Sequence, residues 1–124
     1  MKIKMTGVLV KNPVKAFEFY TGVLGFKELM YMPEASLAIV VSPEDPDGTA
    51  LLLEPCGTGF AKEFQEKGYA AGLPSIIMGV EDVQGEYERL LNLGVVFKGP
   101  PVTNEWGTQA TFDDTCGNYI QIHK

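Results

Sequence analysis

The sequence is poor in residue types from which many functional sites are built. It has one histidine (His123), one arginine (Arg89), one tryptophan (Trp106) and two cysteines (Cys56, Cys116) in 124 residues. A single histidine excludes any site that needs two from one chain, which removes His-His-carboxylate metal centres unless a second subunit contributes another. Two cysteines can neither staple a secreted mini-protein nor build a four-cysteine zinc site; pairing of Cys56 with Cys116 stays open, since the sequence does not show their distance, and both are read as packing residues. One arginine and a net charge of -6 argue against a phosphate clamp or a nucleic-acid partner. No stretch approaches the apolar length needed to cross a membrane. The opening run before Lys11 is too short for a signal-peptide core and reads as a first strand. A cytoplasmic protein with free thiols is the expectation. At 45% hydrophobic and 21% charged residues, the composition is that of one soluble globular domain.

What is present is written twice. Val8-Leu9-Val10 leads to Lys11-Asn12-Pro13, then Val14, Phe17, Tyr20 and Leu24 at helical spacing, then Gly25-Phe26. Ile76-Ile77-Met78-Gly79-Val80 leads to Glu81-Asp82, then Val83, Tyr87, Leu90 and Leu93, then Gly94-Val95. The halves superpose with a shift of about 70 residues, too long for a solenoid unit but suited to a duplicated half-domain. Asn12 and Asp82 are placed to cap the two helices, with Pro13 at a first helical position. Gly25 and Gly94 are placed to close them in a left-handed turn.

Strands are expected after each helix, over residues 26–32, 37–42 and 50–54 and again over 95–98, 108–113 and 119–123. Turn-rich clusters at 43–48 and 113–118 precede the last strand of each half. Residues 60–68 read as a short connecting helix. The expected fold is α+β: one domain of two tandem βαβββ modules, about 1–55 and 73–124, joined by a segment at about 56–72.

On this frame the chain resembles the vicinal oxygen chelate superfamily, also called the glyoxalase/bleomycin-resistance/dioxygenase superfamily. The resemblance rests on residues 10–20 with Val23-Leu24-Gly25-Phe26, on Val80-Glu81-Asp82-Val83, and on Asp114-Thr115-Cys116-Gly117-Asn118-Tyr119-Ile120-Gln121. It implies modules whose strands form a curled mixed sheet with an open cleft, usually completed in a homodimer, and a small-molecule site inside. Metal-dependent members hold a divalent ion with side chains from the first and last strand of each module. By the resemblance those positions fall on Met5, Ser75 and Gln121, with the fourth at Leu51, Leu52 or Leu53 and Glu54 just beyond. A thioether is a soft ligand, a serine hydroxyl a poor one, and leucine none. Only Gln121 and Glu54 remain as donors, so no cofactor is expected and a divalent metal is disfavoured.

The candidate ligand-binding residues are therefore Met5, Glu54, Ser75, Trp106 and Gln121. Gln121 shares a strand face with Tyr119 and His123 and is read as a polar hook, or else as a satisfied polar residue of a half-open sheet. Met5 and Ser75 are read as the floor of an organic site or as a filled core. Trp106 either stacks on a ligand or covers a dimer seam. Glu54 is the one candidate general base, a role that requires burial to raise its pKa; the other reading is a solvated strand end. His123 lies one residue from the end, where chains fray.

The expected function is a metal-free protein that binds a small organic ligand as a homodimer. The alternatives are an enzyme, either a lyase, isomerase or dioxygenase with a degenerate metal set or a proton-transfer catalyst using Glu54, and a non-catalytic dimer with a collapsed cleft.

Overall fold

The computed structural model describes residues 1–124. The chain divides into two compact units, Met1–Gln65 and Glu66–Lys124. Each holds one βαβββ module with its own four-stranded mixed sheet.

In the first, β1 (Met5–Val10) leads into α1 (Pro13–Gly22) and then β2 (Lys27–Met32), β3 (Leu37–Val41) and β4 (Ala50–Pro55), with sheet order β1-β4-β3-β2. Asn12 caps α1, its Oδ1 accepting from the backbone N–H of Val14 and Lys15 at 3.0 and 3.3 Å. Gly25 ends the helix at φ +86°, a conformation that costs glycine nothing. β1 and β4 run parallel, joined by the crossover that contains α1, whereas β2–β3 and β3–β4 are antiparallel. The pairing of β2 with β3 slips between Glu28 and Met30, so Leu29 bulges from the sheet edge.

The second module repeats the plan with β5 (Pro74–Gly79), α3 (Val83–Asn92), β6 (Val102–Asn104), β7 (Gly107–Asp113) and β8 (Tyr119–His123), in the order β5-β8-β7-β6. Asp82 caps α3 through Gly85 N at 3.0 Å, and Gly94 closes it at φ +85°. The connecting helix α2 (Phe60–Ala70) exposes Phe60 and Phe64 and buries Gln65, whose Nε2 donates to Leu9 O at 2.8 Å. The boundary between the units falls within α2. No helix is long and apolar enough to cross a membrane.

Each sheet buries one face under its helix. Val8, Val10, Val40, Leu51 and Leu53 close on Ala16 and Tyr20 in the first unit; Ala110, Phe112, Ile120 and Ile122 close with Val83 and Leu90 in the second. Each such large apolar side chain contributes roughly 1.5–3 kcal/mol by leaving water. Cys56 and Cys116 are free thiols buried in this packing.

One expected strand is displaced. Residues 95–98 form only a bridge, Phe97 to Phe112, with Lys98 N donating to Thr111 O at 2.8 Å. Gly99-Pro100-Pro101 follows, and two residues without an N–H break the ladder. Pairing with β7 resumes over Val102–Asn104.

Candidate functional site

Strand alternation decides which candidates stand on the face of each sheet opposite its own helix, a face that α2 meets in the second module through Tyr69. In the first module, Leu51 and Leu53 are buried beneath α1, so Leu52 and Glu54 belong to the open face. They pair with Gly7 and Leu9 of β1. Met5 lies on the same face, 48% exposed, as do Met30 and Met32 of the edge strand. Met5 is thus no part of a filled core. The Glu54 carboxylate lies across Gly7: a Cβ there would stand 3.1 Å from Glu54 Oε2. Glu54 itself is exposed, so this module supplies none of the burial that a general base needs.

In the second module the open face carries Ser75 and Ile77 from β5, Gln109, Thr111 and Asp113 from β7, and Tyr119, Gln121 and His123 from β8. At its centre Gln121 Nε2 donates to Gln109 Oε1 at 2.8 Å. Both side chains are half-buried, and the pair keeps further amide N–H groups for an incoming molecule. Ser75 Oγ donates to Asn118 Oδ1 at 3.0 Å. Asn118 in turn donates through Nδ2 to the fully buried Asp114, at 2.8 Å. The serine proton is therefore committed, while its oxygen can still accept.

An aromatic pair stands at one end of this face, and the β6–β7 turn lies at the other. At one end the Tyr69 ring of α2 stacks on Tyr119, with centroids 4.4 Å apart and planes 3° from parallel. The Tyr69 hydroxyl donates to Asp113 Oδ2 at 2.5 Å, and Lys98 Nζ sits 4.7 Å from the Tyr119 ring centre. That hydrogen bond to Asp113, reinforced by Tyr119, holds the Tyr69 hydroxyl pKa above its ordinary value. At the other end Trp106, 78% exposed, occupies the β6–β7 turn. His123 belongs to the β8 ladder. It pairs with Gln109 and Gly79, and its Nε2 lies 2.8 Å from Trp106 O.

Tyr69, Gln109 and Asp113 escaped the sequence reading. Gln109, Thr111 and Asp113 alternate with Ala110 and Phe112, a legible sign of a polar face on β7. Tyr69 had no comparable signal, because its partners lie 44 and 50 residues away.

The strand registers also show which of the three leucines corresponds to Gln121 on the duplicated frame. Gly7 pairs with Leu52 as Ile77 pairs with Gln121, so Leu52 is the counterpart of Gln121. The positions that the family resemblance implies thus carry a thioether and an isobutyl group on the first module, Met5 and Leu52, and a hydroxyl and an amide on the second, Ser75 and Gln121. That donor set does not fit a divalent metal. No group of three or more His, Cys, Asp and Glu side chains is placed to hold an ion. On the opposite, helix-bearing face a shallow groove of about 590 Å³ is lined by Glu81, Asp82, Thr103, Thr108 and Lys124. Its polar groups serve the fold, since Asp82 caps α3 and the two threonine hydroxyls bond each other at 2.8 Å.

Residues 2–122 match the family described as the Glyoxalase/Bleomycin resistance protein/Dioxygenase superfamily. The uncharacterized protein YurT of Bacillus subtilis (strain 168) is 48% identical over 124 residues, covering 98% of each chain. Among solved structures, UcmS2 superposes with a TM-score of 0.83 at 25% identity, over 99% of this chain and 97% of that one. TnmS3, an antibiotic binding protein from Streptomyces sp. CB03234, superposes with a TM-score of 0.74 at 25% identity, over 99% and 94%.

Proposed function

The chain belongs to the glyoxalase/bleomycin resistance protein/dioxygenase superfamily, and from that premise we propose that it binds a small organic ligand without transforming it. It does so without a metal, as a homodimer in the cytoplasm, where its two free thiols stay reduced. The observation that carries this reading is the open face of the second module. There a half-buried amide pair, Gln109 and Gln121, lies between Tyr119, on which Tyr69 of α2 stacks, and His123 at the far end of β8. Ile77 and the Tyr119 ring give this largely polar face some apolar surface beside its oriented polar groups, and a small-molecule site needs both.

The chemistry follows from the side chains. Apolar burial supplies affinity, at roughly 2.5 kcal/mol for each 100 Å² of apolar surface removed from water. Gln121, Gln109 and the acceptor lone pairs of Ser75 supply direction, because a ligand that leaves buried polar groups unpaired is penalised. Taken by itself, the first module offers Met5 and Leu52 as a deformable apolar surface and Glu54 as a carboxylate that favours a cationic group. The antibiotic-binding protein among the structural neighbours is consistent with such a role.

The test has two arms. Protein purified without chelators is analysed for nickel, zinc, manganese and iron, with sub-stoichiometric content expected. A panel of cationic drugs, thiol adducts and aromatic acids is screened by Trp106 quenching and by melting temperature. A true ligand at a hundred times its Kd stabilises the chain by about 2.7 kcal/mol. Near-stoichiometric metal would falsify the metal-free reading. A panel in which no compound moves either signal would sink the binding reading.

A further inference from the structure

We propose that Met5, Met30 and Met32 are an oxidation site: hydroperoxides convert the open face of the first module from apolar to polar, and methionine sulfoxide reductases restore it. The effect on binding rests on the function proposed above; the selective oxidation does not.

The chain holds two thiols and five thioethers. Both thiols are buried, and a cysteine withheld from solvent is inert. Met78 pairs with Ile122 on the helix-bearing face of the second sheet and is half-buried. Met1 stands at the amino terminus. The remaining three share one sheet face, where Met5, Met30 and Met32 are 48, 47 and 42% exposed. The exposed sulfur of the folded chain is therefore all thioether.

The strand registers place these three around a common surface. Gly7, Leu52, Ile39 and Met30 run across the sheet, each paired with the next. Met5 is the neighbouring residue on that face along β1, and Met32 the neighbouring one along β2, where it pairs with Leu37. β1 and β2 are the two outer strands of the order β1-β4-β3-β2, so thioethers line both margins, roughly 14 Å apart at the usual strand spacing. Between them lie Leu37, Ile39 and Leu52, all half-buried. Methionine ordinarily fills gaps inside a core. The core of this module lies on the other face, under α1, and these three take no part in it.

The chemistry is an oxygen transfer. A sulfur lone pair attacks the terminal oxygen of the hydroperoxide, forming an S–O bond as the O–O bond breaks. The proton on the attacked oxygen passes to the leaving oxygen, which departs as water or an alcohol. Sulfur gives up two electrons and the peroxide gains them, leaving a sulfoxide. Each sulfoxide sets a strong acceptor dipole where an apolar ligand would meet a thioether, and burying that oxygen without a donor is penalised. Because none of the three is a core residue, the fold stands.

The full chain is treated with graded hydrogen peroxide, and peptide mapping by mass spectrometry follows every sulfur. Met1, fully exposed, is the internal reference. Sulfoxide is expected at Met5, Met30 and Met32 within about 3-fold of the Met1 rate, at Met78 about 5-fold more slowly, and at neither cysteine, with far-ultraviolet circular dichroism unchanged. Nile red, a neutral apolar dye, is expected to bind the oxidised chain about 10-fold more weakly than the reduced one. Its affinity is expected to return after treatment with the two reductases, one for each sulfoxide epimer. In a chain carrying Met5→Leu, Met30→Leu and Met32→Leu, peroxide is expected to change dye affinity less than about 2-fold, whatever its starting value.

Oxidation of Met78 or a cysteine as early as the three overturns the selectivity. Protection of the three relative to Met1 shows the face covered by a second copy and overturns the site. Unchanged dye affinity after oxidation, loss of circular dichroism with the third sulfoxide, or an equal peroxide effect in the leucine variant overturns the switch. A reduced chain that binds no Nile red while the three sulfoxides form removes the binding function and the switch together, and leaves the selective oxidation standing.

Discussion

Replacing Asp114 with alanine removes the acceptor of three hydrogen bonds in a place water does not reach. Oδ1 takes the backbone N–H groups of Cys116 and Asn118 at 2.7 and 2.9 Å, and Oδ2 takes Asn118 Nδ2 at 2.8 Å. Asp114 is 0% exposed, and Asn118 is 2% exposed. A donor stranded in such surroundings costs roughly 1–3 kcal/mol, and some of that is recovered as the loop relaxes, so the expected loss for Asp114→Ala is about 4 kcal/mol. Asp114→Asn offers a different route. Its carbonyl keeps the two backbone donors, and its amide N–H then faces Asn118. If Asn118 reverses its own amide, its oxygen accepts from residue 114 and its nitrogen donates to Ser75 Oγ, which now accepts where it had donated. Only the charge assistance is lost, an expected cost of about 2 kcal/mol. Urea unfolding followed by far-ultraviolet circular dichroism measures both, through midpoints at unchanged slope. A cycle combining Asp114→Asn with Ser75→Ala reads the new Ser75 contact as a coupling energy. An Asp114→Ala chain that loses less than about 1 kcal/mol refutes the accounting by donors and acceptors. An Asp114→Asn chain as damaged as Asp114→Ala refutes the amide reversal.

Two further outcomes follow from single residues. The Asp113 hydrogen bond holds the Tyr69 phenol pKa above its ordinary value of 10.0. The folded chain therefore keeps a proton that the unfolded chain releases: this stability is complete below about pH 10 and falls as pH rises beyond it. Urea midpoints on either side of that pH are expected to fall more steeply in the wild type than in Tyr69→Phe; equal slopes refute the linkage. Thr115 sits at φ +61°, where a β-branched residue is strained. Thr115→Gly is expected to stabilise the chain by about 1 kcal/mol net of unfolded-state entropy, and a lowered denaturation midpoint refutes the strain.

Much of the architecture is local and was readable. Asn12, Asp82, Gly25 and Gly94 act within a few residues of themselves, and each does what its type and place imply. The helix-period stripes and the period-2 strands locate both modules. What could not be read depends on partners far along the chain. Three leucines in a row hide which one faces outward until β1 and β3 fix the register of β4. Val95 and Phe97 look like a strand in the sequence, whereas the sixth strand pairs only after the two prolines have passed. The closing motif around Asp114 marks a hydrogen-bonded loop, and its bearing on the site runs through Asn118 to Ser75. His123 looked too near the end to be ordered, but pairing with both β5 and β7 holds it.

The bulge at Leu29 bears on how the chain survives at high concentration. β2 is the last strand of its sheet and exposes Leu29, Met30 and Met32 along that margin. A straight, apolar strand in that position is a template on which a second chain can add its own strand, the first step toward fibrillar aggregates. The slip between Glu28 and Met30 interrupts the regular spacing of free amides, and Lys27 and Glu28 place charge beside the interruption. The irregularity therefore works as a guard: the module can keep an apolar margin without recruiting copies of itself into an endless sheet.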